Sequence, residues 1–176
     1  MEKNEHLLGT RRFLPMFVTQ FFGALNDNVY KQSLLLFITY GWINQQSASV
    51  STLNNLAALL FILPYFIFSA TAGQIADKYE RSQLVRGIKI LEIVIMLIGS
   101  AGFLLGHLWL LLLALFLMGV HSTFFGPIKY AILPEILKPN ELMSGNALFQ
   151  SGTSIAILIG MILGGAVISA SDGDRK

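Results

Sequence analysis

Five long apolar runs decide what this chain can fold into. They cover about residues 13–40, 53–75, 85–105, 108–125 and 145–170. Each lies within or above the roughly 17–25 residues that carry a helix across a hydrocarbon core of about 30 Å. In lipid every backbone N–H and C=O must be satisfied inside the chain, so runs of this length become α-helices. The expected fold class is therefore an all-α integral membrane protein with five transmembrane helices. The third and fourth runs are separated only by Gly106-His107, which predicts a tight hairpin. Hydrophobic residues make up 54% of the chain and charged residues 12%, against about 25% charged in a soluble domain. The chain has no cysteine, which removes disulfides, thiolate nucleophiles and Cys-based metal sites.

The basic residues set topology. Net charge is +2 and the pI about 9.0, yet the lysines and arginines lie mostly in short connections beside apolar runs, so they do not indicate nucleic acid as a partner. Lys3, Arg11 and Arg12 precede the first run. The connection 41–52 carries no charge. Lys78, Arg81 and Arg86 follow the second run, Gly106-His107 carries no Lys or Arg, and Lys129 and Lys138 follow the fourth. This alternation predicts a cytoplasmic N-terminus, with Arg175 and Lys176 opposing it weakly. The first apolar run is too long, and too interrupted by Asn26-Asp27-Asn28, for a cleaved signal peptide. The expected organisation is a cytoplasmic segment 1–12, an incomplete transmembrane half-domain 13–170, and a tail 171–176 at which the chain stops abruptly. The chain is expected to begin a larger membrane protein.

Asp27 and Lys31 interrupt the first run. Each ionisable residue near a bilayer midplane costs about 2.5–3.5 kcal/mol on insertion scales. The pair is an i,i+4 step with the acid first, the favourable order for a helical ion pair. Two readings follow: the pair contacts a polar substrate, or it ties helices together. Lys89 and Glu92 form a second pair within one turn, either facing a cavity or snorkelling near a membrane boundary. Lys129 and Tyr130 can serve a head group or mark an interface. His121 reads first as a packing hydrogen-bonder.

Gly73, Asp77 and Arg81 are spaced four apart after the second run. A small residue, a boundary carboxylate and an arginine one turn on can form a charge-assisted latch. The spacing resembles the loop 2–3 signature of the major facilitator superfamily, with Ser82 in place of the usual second basic residue and Glu80 where glycine is common. Gly152, Gly160, Gly164 and Gly165 resemble that family's glycine-rich fifth helix, with Met161 at a position often held by proline. Steps of four between small residues also let helices approach closely in any membrane bundle. Residues 20–31, Gln-Phe-Phe-Gly-Ala-Leu-Asn-Asp-Asn-Val-Tyr-Lys, and 125–135, Phe-Gly-Pro-Ile-Lys-Tyr-Ala-Ile-Leu-Pro-Glu, resemble the lysophospholipid transporter branch. They are especially similar to the transporter part of bacterial proteins fused to an acyltransferase and an acyl–acyl-carrier-protein synthetase.

The resemblance covers essentially the whole chain and only the N-terminal half of such a transporter. It implies import of lysophospholipid across the bacterial inner membrane by alternating access, with the missing C-terminal half and a fused or separate acyltransferase as partners, and no cofactor or metal. Gly73, Asp77 and Arg81 would form the gate. Asp27 would receive a head-group ammonium and Lys31 a phosphate, with Asn26, Asn28, Lys89 and Glu92 as further contacts. Gly152, Gly160 and Gly164 would pack helices. The alternatives are a superfamily transporter for another small molecule, or a scaffold or truncated product that transports nothing. An enzyme finds no support: the sequence lacks an acyltransferase His-x-x-x-x-Asp pair, a Gly-x-Ser-x-Gly elbow, a phosphate loop and a His-Glu-x-x-His zinc helix.

Overall fold

The structure, a computed structural model, describes residues 7–41 and 49–173. Lys3, most of the uncharged connection, and Arg175 and Lys176 lie outside the described residues. Within them, five long helices follow one another: α1 (Leu14–Leu36), α2 (Val50–Lys78), α3 (Arg81–Leu105), α4 (Leu108–Ile136) and α5 (Leu142–Gly173). No strand occurs among the described residues. By length and composition α2 to α5 can each cross a membrane. The 23 residues of α1 reach about 34 Å, enough to span. Its surface is less apolar because Gln20, Asn26, Asp27, Asn28, Lys31 and Gln32 interrupt it.

Local chemistry fixes the helix ends. Ser49 caps α2, its hydroxyl accepting from the Thr52 N–H at 3.3 Å. At the α3 terminus Gly106 adopts φ 62° and ψ 29°. That left-handed conformation costs a residue with a Cβ roughly 1–2 kcal/mol. There the His107 N–H donates to the Gly102 carbonyl at 2.9 Å and the Gly106 N–H to Phe103 at 3.3 Å. These bonds satisfy carbonyls that the helix end would otherwise orphan.

α4 runs further than the sequence predicts. The fourth apolar run was expected to end near Phe125, with Gly126-Pro127 opening a connection. The helix instead continues to Ile136, placing Lys129 and Tyr130 inside it. Proline removes one N–H but does not end a membrane helix whose neighbours re-satisfy the freed group. Ile128 and Leu133 keep the buried face going beyond it.

The chain divides into two compact units whose boundaries fall inside α1 and α4. One comprises 34–128. In it α4 is the core helix, more than half buried along its apolar stretch while α2 and α3 are mostly exposed along theirs. Leu111, Met118 and Ile128 are fully buried, and Phe124 meets Phe68 of α2 with ring centroids 6.2 Å apart. The other unit comprises 1–33 and 129–176. There the glycines of α5 face α1. A Cβ on Gly160 would lie 2.7 Å from the Leu25 carbonyl oxygen, and one on Gly164 2.6 Å from that of Val29. Gly152 lies against the Phe17 ring. Ser33 Oγ donates to the Gly164 carbonyl at 3.2 Å and Gln20 Nε2 to Thr153 Oγ1 at 3.0 Å. Phe13, Phe17 and Phe149 close the same seam with edge-on rings.

Candidate functional site

The residues of interest fall into three groups. The first is on α1. The α5 glycines contact Leu25, Asn28, Val29, Gln32 and Ser33, which defines one face of α1. At 100° per residue Asp27 and Lys31 fall on the opposite face. Both are half-buried. The Asp27 carboxylate lies within electrostatic reach of the Lys31 ammonium and of the Lys129 ammonium. Lys129 comes from the distal part of α4, over a hundred residues away in sequence, and gives the site a second cation. Asn28 does not join this face: its Cβ lies against Gly160, and its amide donates to the Ala24 carbonyl at 2.7 Å. Asn26 is half-buried, a quarter turn from Asp27. The arrangement is a half-buried acid with two half-buried bases, one from α1 and one from α4, within electrostatic reach of it, chemistry that suits a zwitterion.

The second group belongs to the other unit. Lys89 Nζ lies 2.6 Å from Glu92 Oε2. Two residues of α4 complete it. His121 Nε2 is 3.4 Å from the same carboxylate oxygen. The Phe125 ring lies beneath the Lys89 ammonium, 4.7 Å from nitrogen to ring centroid, and His121 stacks on Phe125 at 6.0 Å. The i,i+3 pair was legible in the sequence. Its α4 partners were not, although His121 and Phe125 themselves stand one turn apart, as a shared wall requires.

The third group is the expected gate. Gly73 and Asp77 lie on the last turns of α2 and Arg81 is the first residue of α3, across a two-residue turn. Asp77 is exposed, whereas Gly73 and Arg81 are half-buried. A Cβ on Gly73 would meet nothing within 4 Å. Glu80 accepts from Ser82 Oγ, so both residues that depart from the family pattern are engaged with each other. One ionic tie escaped sequence reasoning altogether. Arg12 reaches Glu141 Oε1 at 2.6 Å and the Ile136 carbonyl at 3.3 Å, while Glu141 Oε2 accepts from the Lys138 N–H at 2.8 Å.

Bilayer-length helices that hold charge clusters within them define an integral membrane protein of the helical-bundle class. The chain belongs to the Major Facilitator Superfamily, whose profile matches residues 16–172. It is similar to the lysophospholipid transporter LplT of Cronobacter sakazakii (strain ATCC BAA-894), 30% identical over 161 residues, covering 90% of this chain and 37% of that protein. The lysophospholipid transporter LplT of Serratia proteamaculans (strain 568) is 30% identical over 159 residues, 89% of this chain and 36% of that protein. That of Yersinia pestis (strain Pestoides F) is 29% identical over 159 residues, with the same two shares. The chain thus spans a little over a third of the length of these relatives. No solved structure matches it.

Proposed function

We propose that this chain supplies the first five helices of a transporter that moves lysophospholipid across or between the leaflets of a bacterial inner membrane by alternating access. The observation that carries this reading is the group formed by Asp27 and Lys31, on the α1 face turned away from α5, with Lys129 of α4 within electrostatic reach of Asp27. A lysolipid presents a phosphate, often an ammonium, and one acyl chain. A site for it needs both signs of charge beside an apolar wall, and α1 offers both. The names of the relatives support the substrate class. Substrate sites of such transporters lie near the midplane between two helical halves, and rocking of the halves exposes them alternately. The reading includes a cytoplasmic N-terminus, a gate at Gly73, Asp77 and Arg81, and re-acylation of the imported lipid by a fused or separate acyltransferase. Transport, not catalysis, is the role assigned to these residues.

Asp27→Asn in the complete transporter tests it. Uptake of labelled lysophosphatidylethanolamine into spheroplasts should be lost while membrane abundance stays at the wild-type level. Wild-type uptake in that variant would remove Asp27 from the head-group site.

A further inference from the structure

The group around Lys89 has the form of an occupied ammonium site. A carboxylate and an aromatic face hold one cation, and an imidazole lies against the carboxylate. Glu92 Oε2 lies 2.6 Å from the Lys89 nitrogen, the Phe125 face 4.7 Å from it, and His121 closes the carboxylate side. Carboxylate and ring face are the groups that bind an alkylammonium ion. The walls are buried: the His121 side chain is 3% exposed and that of Glu92 11%. The occupant is looser, with 23% of the Lys89 side chain exposed on a stem that has many rotamers. The cage therefore opens on the side from which Lys89 enters.

Depth and surroundings narrow what else would enter. Lys89 lies eight residues into α3, about 12 Å from the Arg81 end. With Arg81 at the membrane boundary, that places it about 3 Å short of the midplane of a core of about 30 Å. From Lys89 the i,i+4 stripe continues through Ile93, at the middle of the helix, to Leu97 beyond it, both exposed. Ile90 and Val94 widen it. A molecule with an ammonium head and a single acyl chain can set its head in the cage and its chain along this stripe, approaching sideways from the leaflet.

The geometry points to a head-group subsite at Glu92, Phe125 and His121 for the ammonium of a zwitterionic lysolipid, with Lys89 as a built-in occupant that the head group displaces. The inference rests on the lysophospholipid reading and adds to it a selection step inside the membrane. Lys89 holds the carboxylate neutralised when no lipid is bound, so the buried acid is never left without a cation. A lysolipid with a glycerol head offers no cation to exchange and leaves Lys89 in place.

The test uses the full chain in nanodiscs of phosphatidylglycerol. A brief pulse of an amine-acetylating reagent, kept scarce so that nearly all lipid amines stay free, labels the chain with added lysophosphatidylethanolamine or lysophosphatidylglycerol. Mass spectrometry reads Lys89, with exposed Lys78 as the internal control, and binding of each radiolabelled lysolipid is measured in parallel. Lysophosphatidylethanolamine should raise Lys89 acetylation severalfold and saturably, while lysophosphatidylglycerol leaves it unchanged. Lys89→Met, which empties the cage, should tighten binding of the ethanolamine lipid alone. The wild-type labelling stands by itself should that variant fail to fold. Both lipids binding with Lys89 labelling unmoved, or moved equally, overturns the subsite and leaves the transport reading intact. Neither lipid binding the chain also overturns the subsite, and the transport reading is then judged on Asp27→Asn uptake.

Discussion

Glu141 accepts from the Lys138 backbone N–H through one carboxylate oxygen and from the Arg12 guanidinium through the other. The Lys138 bond first, and then Arg12, hold its carboxyl below the usual carboxylate range. A carboxyl with a lowered folded-state pKa stabilises the fold while ionised. That contribution is complete above the ordinary carboxylate range and disappears as pH falls through the lowered value. Thermal unfolding in detergent should therefore show a loss of Tm on the acid side that Glu141→Gln flattens, with the variant already less stable than wild type at neutral pH. An unchanged acid limb in the variant would assign the pH dependence to other carboxyls. At this scale the sequence reveals local pairs and hides distant ones. Asp27 with Lys31 and Lys89 with Glu92 are visible because a helix turn brings them together. Lys129 beside Asp27, His121 beside Glu92 and Arg12 on Glu141 depend on helix packing, which one sequence does not display. Arg12 reads as a topology anchor, and its bond to Glu141 requires knowing that the start of α1 lies near the α4–α5 connection.

Among the elements, α5 owes its seam with α1 to missing side chains. The Leu25 and Val29 carbonyls occupy the places where Gly160 and Gly164 would carry a Cβ. Backbone cannot give way as a flexible side chain can. Gly160→Ala should force the two helices apart, at a cost of about 1–3 kcal/mol by the usual penalty for overpacking. Reversible unfolding in mixed micelles measures it. Gly87→Ala is the control, because a Cβ there meets nothing within 4 Å and alanine is the better helix former. Equal losses at the two positions would mean that close approach is not what Gly160 provides. Helix existence and order were legible because apolar runs of spanning length admit few alternatives. The end of α4 was not. Gly126-Pro127 carries the signature of a break, and only burial of Ile128 and Leu133 shows that the helix outlasts it.

At the scale of the whole molecule, the proposed transport depends on movement between states. Arg81 begins α3 across a two-residue turn from α2, where a shift between the helices would be felt first. In the complete transporter Arg81→Ala should slow lysolipid uptake more than it weakens lysolipid binding, read as turnover against equilibrium affinity. Equal losses in both would argue against a latch. The turn at the other end of α3 has a consequence for how the protein is made. Between Leu105 and Leu108 only Gly106 and His107 intervene, and the bonds of His107 and Gly106 already satisfy the Gly102 and Phe103 carbonyls. When this hairpin leaves the ribosome, little more than one imidazole and a few peptide groups must be carried through the hydrocarbon. α3 and α4 can therefore enter the bilayer together as one folded unit, with no polar loop to translocate and no interval in which either helix faces lipid alone.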